Sequence, residues 1–173
     1  KVRRQRLWEG NWDYDEDKDS LISYDALSDA FSNTIVKDNE RYLTIDVARK
    51  GRDATMFSFW DGLELYRVDR FEQQSTDKTA QKARDLAAAE RIPFSHILID
   101  EDGIGGGPLD HLNGAKGFHA NSVPVPTKEQ VREKIKKVGH NMALKPVFLN
   151  LRAQCGWKLA ELINEHKIAF KTP

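Results

Sequence analysis

Two aspartates close short apolar runs in this sequence. Tyr42-Leu43-Thr44-Ile45-Asp46-Val47-Ala48 carries Asp46 near its end, and His96-Ile97-Leu98-Ile99-Asp100 ends on Asp100. Partly β-branched apolar runs of this length read as buried strands. A carboxylate in such a run is costly unless it is paired or binds a cation. If the two strands lie side by side and end on one edge of a sheet, their carboxylates meet there. Oxygen ligands so placed suit Mg²⁺ or Mn²⁺. With a third acid they hold a metal pair, in which one ion activates a water and the other stabilises the leaving oxygen of a phosphodiester. The competing reading makes Asp46 a turn cap and Asp100 a plain strand end, but the repetition of the pattern favours metal binding.

The acids nearby rank behind these two. Asp53 follows a turn, where hydrogen bonding to turn amides is the simpler role. Glu101 points away from Asp100 if the strand continues, whereas Asp102 shares its parity and is the reserve ligand. The glycine-rich run Gly103-Ile104-Gly105-Gly106-Gly107 could bring backbone close to a phosphate, yet it matches neither a P-loop nor a dinucleotide fingerprint. Asp46, Gly51 and Thr55 faintly suggest a nucleotide-binding strand pair, but a second phosphate loop of that type is lacking. The histidines at 96, 111, 119, 140 and 166 are scattered without zinc-ligand spacing.

The elements that must position Asp46 and Asp100 follow from pattern. Residues 42–48 form a first strand, Ala54 to Trp60 a second, and Leu63 to Phe71 a third, with Asp61-Gly62 as the hairpin signal between the last two. This is an antiparallel meander. Ser75 to Arg91 reads as a helix capped at Ser75 or Thr76 and stopped by Ile92-Pro93. Ile97 to Asp100 then returns as a fourth strand beside the first. Pro108 begins a short helix through Leu112, and Phe118 to Val125 is a fifth strand. Asn150 to His166 is a helix whose wide apolar face, with Leu151, Cys155, Leu159 and Leu162 beside Ala153, Trp157, Ala160 and Ile163, implies packing on a sheet. Upstream, Ser23 caps a short helix through Phe31. The fold class is α/β, a mixed five-stranded sheet flanked by helices.

The chain has 173 residues, enough for one ordinary domain, and its 27 basic and 27 acidic side chains cancel. That balance speaks against nucleic-acid binding by overall charge while allowing a local basic path. The stretch from Lys128 to Lys145 is basic, and its competing reading is a solvated loop and helix. No apolar run approaches the about 20 residues of a membrane span, and no secretory signal is evident. A single cysteine, Cys155, rules out an intrachain disulfide and suits a reducing compartment. Opening on Lys1-Val2-Arg3-Arg4 suggests a piece of a longer protein.

Four segments, in order, resemble one family. Leu7-Trp8-Glu9-Gly10-Asn11-Trp12-Asp13, then Ile45 to Thr55, then Ile99 to Gly107 with Asp110 and Leu112, then Asn150-Leu151-Arg152-Ala153-Gln154 with Trp157 are similar to motifs of the C-terminal nuclease domain of the large terminase subunit of tailed bacteriophages. The resemblance implies a ribonuclease H-like fold and metal-dependent endonuclease cutting of concatemeric double-stranded DNA in the viral packaging motor, with little sequence specificity. It implies Asp46 and Asp100 as catalytic metal ligands, with Mg²⁺ or Mn²⁺, in two ions, as cofactor. Arg49, Lys50, Arg52, Lys134, Lys136 and Lys137 become the expected DNA contacts. It further implies residues 1–40 as a linker from a packaging ATPase domain and 41–173 as the nuclease domain. The expected partners are double-stranded DNA, that ATPase domain, the small terminase subunit and the portal protein, in the host cytoplasm and away from any membrane. The family's third aspartate, in a Ser-Pro-Asp-type motif, has no counterpart before Pro173. The alternative is therefore a fold relative that binds or docks DNA but does not cut in this form.

Overall fold

The computed structural model describes residues 20–48, 54–72, 75–100, 102, 106–128 and 148–171. A six-stranded mixed sheet forms its centre. The strands are β1 (Arg41–Asp46), β2 (Thr55–Asp61), β3 (Glu64–Phe71), β4 (Ile97–Asp100), β5 (Lys116–Phe118) and β6 (Ala169–Phe170). Their spatial order is β5-β4-β1-β2-β3-β6. The β1-β2-β3 meander is antiparallel, and β4, β5 and β6 each join a neighbour in parallel.

The meander turns at Gly62, which adopts φ +57°. A side chain there would be strained, and its Cβ would stand 2.7 Å from Asp38 Oδ1. Strand alternation then divides the sheet into two faces. On one, Leu43, Ile45, Phe57, Phe59, Ile97 and Ile99 are buried beneath helix α2 (Thr76–Glu90), which presents Ala80, Ala83 and Ala87. Small alanines let the helix approach the large strand side chains closely, which is how a core reaches crystal-like density. At the far end of α2, the Tyr66 hydroxyl donates to Glu90 at 3.2 Å. Burial, and then the Glu90 charge, push the Tyr66 phenol above its ordinary value.

On the other face, helix α1 (Tyr24–Asp29) and the end of helix α4 (Leu151–Asn164) pack together. Ala26, Ala30, Ile163 and Ile168 form this smaller core, with Trp60 and Phe170 against it. Ser23 caps α1, accepting from Ala26 N at 3.2 Å, and Asn150 caps α4, accepting from Ala153 N at 2.9 Å. A left-handed turn at His166, φ 54°, delivers the chain from α4 into β6. Among the described residues no helix is long and apolar enough to cross a membrane.

Three expectations are corrected. The sheet has six strands and not five, because the two-residue β6 is too short to carry a periodic signal. The fifth strand runs over Lys116–Phe118 and not Phe118 to Val125; beyond it the chain turns at Ala120 and Asn121. The apolar face of α4 is buried only near its end, at Ala160 and Ile163, whereas Trp157 and Leu159 remain 49% and 41% exposed. The short helix near Pro108 is α3 (Gly106–Asp110).

Candidate metal centre

β1 and β4 pair in parallel through Leu43/Ile97, Thr44/Leu98 and Ile45/Ile99. The next residue on each strand is an aspartate, Asp46 on β1 and Asp100 on β4. Neighbouring strands lie about 4.8 Å apart, so the two Cα positions are close. Ile45 and Ile99 enter the core at 2% and 0% exposure. Alternation therefore sends both aspartates to the opposite, open face. This is the carboxyl end of parallel strands, the side on which open α/β sheets bind ligands.

Both aspartates line a shallow groove of about 180 Å³, with Thr44, Ile45, Ser58, Leu98 and Phe118. Each neighbour has a structural reason to be there. Thr44 faces Ser58 across the β1–β2 ladder, and Phe118 of β5 pairs with Asp100. The Trp60 indole donates to the Thr44 hydroxyl at 3.2 Å, joining the groove wall to the smaller core. Asp46 is exposed and Asp100 is half-buried. Asp100 Oδ1 accepts the backbone N–H of Asp102 at 2.9 Å, which fixes its carboxylate while leaving acceptor capacity for a cation. Among the described residues, the side-chain donors of this groove are carboxylate and hydroxyl oxygens, with no nitrogen or sulfur ligand. That set fits a hard divalent cation of the Mg²⁺ or Mn²⁺ kind.

The reserve ligand Asp102 is engaged elsewhere. Its Oδ2 accepts the backbone N–H of Ala120 at 3.0 Å and lies 3.7 Å from the Arg152 guanidinium at the start of α4. Among the described residues no group of three His, Cys, Asp or Glu side chains stands together as a metal site. The expected DNA contacts Arg49, Lys50, Arg52, Lys134, Lys136 and Lys137 lie outside the described residues, as do Asp53, Glu101, Gly103, Ile104 and Gly105. Thr44 and Ser58 escaped the sequence reading, although Thr44 shares its face with Asp46 two residues on. Phe118 carried no local signal for the site, because its approach depends on the placement of β5 beside β4.

No protein-family model matches the chain, and no curated protein matches it. Solved structures do. A point mutant of the large terminase subunit from bacteriophage Sf6 with calcium superposes with a TM-score of 0.62 at 19% identity, over 88% of this chain and 74% of that one. A mutant nuclease domain of the Sf6 subunit with manganese gives 0.59 at 18% identity, over 88% and 73%. The large terminase nuclease from thermophilic phage G20c gives 0.52 at 14% identity, over 89% and 75%. The chain thus has the ribonuclease H-like fold of phage large-terminase nuclease domains.

Proposed function

We propose that this chain is the nuclease domain of a viral DNA-packaging motor, a metal-dependent endonuclease that cuts concatemeric double-stranded DNA with little sequence readout. One observation carries the reading: Asp46 and Asp100 end adjacent parallel strands and enter the same open groove. The fold it shares with terminase nucleases, including structures described with calcium and with manganese, supports it.

Asp46 and Asp100 would hold the cation, Mg²⁺ or Mn²⁺, in one or two ions. When bound, it supplies charge stabilisation to the phosphodiester and lowers the pKa of an attacking water. The chain's own residues do the rest. The Asp102 backbone amide holds Asp100 in orientation. Thr44 and Ser58 contribute hydroxyls to the groove, and Phe118 and Leu98 contribute its apolar lining. The open, shallow form suits a duplex lying across the edge, held through phosphates. Residues 1–40, whose helix α1 packs on this unit, would join it to a packaging ATPase, with the small terminase subunit and portal as further partners in the host cytoplasm.

The test is plasmid cleavage with Mn²⁺ or Mg²⁺, in the parent and in Asp46→Ala and Asp100→Ala. Cleavage lost in both variants is expected; equal cutting by Asp46→Ala and the parent would sink the assignment. A second reading, a module that binds DNA without cutting, has in its favour that no third acid joins the pair among the described residues. Duplex binding without cleavage at every metal concentration would select it.

A further inference from the structure

The groove has acids, but its substrate would be a polyanion, so a cation must stand beside it. We infer that Arg152 is a phosphate-binding residue for the nucleic-acid backbone, held at the metal edge by the positioning residue Asp102. The inference rests on the metal-centre reading above and adds to it a cation that was not among the expected DNA contacts.

A continuous chain of hydrogen bonds ties Arg152 to Asp100. The Asp102 amide donates to Asp100 Oδ1 at 2.9 Å. The Ala120 amide donates to Asp102 Oδ2 at 3.0 Å. The Arg152 amide donates in turn to the Ala120 carbonyl at 3.0 Å. Ala120 is 2% exposed, so both its backbone groups need partners, and this chain supplies them. Ala120 lies two residues beyond Phe118, which pairs with Asp100, and Asp102 lies two beyond Asp100. Asp102 and Ala120 therefore sit just past the carboxyl ends of β4 and β5, beside the groove, and the Arg152 amide joins the start of α4 to them.

The neighbourhood locks the start of α4 in place. Leu151 N donates to Ser122 O at 2.8 Å. The Gln154 side chain both accepts from Val125 N and donates to Val125 O, at 2.7 Å each. Yet the Arg152 side chain is 71% exposed, and at 3.7 Å its contact with Asp102 is loose. Asp102 thus biases the guanidinium toward the rim while leaving most of its five donors for a phosphate, which arginine can bind through two parallel bonds. The fixed backbone and exposed side chain mean that truncating Arg152 leaves the fold intact.

The test compares the parent with Arg152→Ala, Arg152→Lys and Asp102→Asn, by duplex binding in Ca²⁺ across a KCl series and by plasmid cleavage in Mn²⁺. Arg152→Ala should flatten the slope of log K against log salt by about one and raise KM about tenfold, with kcat little changed. Arg152→Lys should keep the parental slope. Asp102→Asn retains an acceptor for the Ala120 amide, so it should keep the slope and the fold and raise KM only a few-fold. A parental slope and KM in Arg152→Ala would overturn the inference. An Asp102→Asn loss as deep as that of Asp100→Ala would make Asp102 a metal ligand instead. Failure here leaves Asp46 and Asp100 untouched, because their alanine variants are read by cleavage alone; a parent that binds no duplex overturns both.

Discussion

Ile45 and Asp46 are chain neighbours, as are Ile99 and Asp100, yet they live in opposite settings. The isoleucines are 2% and 0% exposed under α2, while the aspartates open onto the groove on the far side. The far face is itself divided. α1 and the end of α4 cover it at Trp60 of β2 and Phe170 of β6, and among the described residues the part over β1, β4 and β5 stays open around the aspartates. One sheet therefore separates a core face from the proposed metal site by side-chain parity. The buried face is apolar and dense, and the open patch concentrates hydroxyls and carboxylates. Carboxylates side by side repel one another, a cost that a bound cation removes.

Substitutions on the two faces should give opposite signatures. Asp46→Ala and Asp100→Ala should each lower metal-dependent cleavage by about a thousandfold or more, equivalent to about 4 kcal/mol of barrier, with only a small change in melting temperature. Cleavage assays paired with thermal unfolding read both quantities. Ile99→Ala, one residue away, should do the reverse: about 2–5 kcal/mol of stability lost in urea unfolding, from the cavity beneath α2. Leu98→Ala sharpens the contrast on the same strand. Leu98 is 36% exposed on the open face, so its truncation should cost under about 1 kcal/mol.

Two smaller effects probe how the buried face is framed. Gly62→Ala places a side chain at φ +57° against Asp38, and should cost about 1–2 kcal/mol in the same urea measurement. Tyr66→Phe removes a phenol whose pKa is raised in the fold. The neutral phenol is favoured in the native state, so its contribution is present below about pH 10, the unfolded value, and is lost as pH rises through the higher native one. Alkaline unfolding of Tyr66→Phe should fall less steeply above about pH 10 than that of the parent, whereas equal slopes would show that Tyr66 does not govern this region.

Much of this arrangement was legible from the residues. The meander, α2 and the β4 bounds of Ile97–Asp100 emerge from alternation and proline stops, although Ser75, at the N-cap position of α2, makes no side-chain capping bond. The convergence of Asp46 and Asp100 followed from two apolar runs of the same design. What escaped is long-range. The cross-strand pairs that simple alternation would assign to Glu64–Phe71 are shifted by the irregularity between Phe59 and Trp60, where β3 gains an extra residue. β6 owes its place to a turn at His166 and to β3 and not to any pattern of its own. The half-exposed α4 looked like a sheet-packing helix because Trp157 and Leu159 are apolar, but tertiary packing covers only its end. The Asp102–Ala120–Arg152 chain spans segments separated by 18 and 32 positions, which no local spacing encodes.

The central claim is that Asp46 and Asp100 together bind a divalent cation. Anomalous X-ray diffraction from crystals of the chain soaked in Mn²⁺ tests it most directly. A manganese peak bridging the two carboxylates, lost in Asp100→Ala crystals, is the predicted result. Manganese bound only elsewhere, or no peak at this edge at saturating metal, would contradict it.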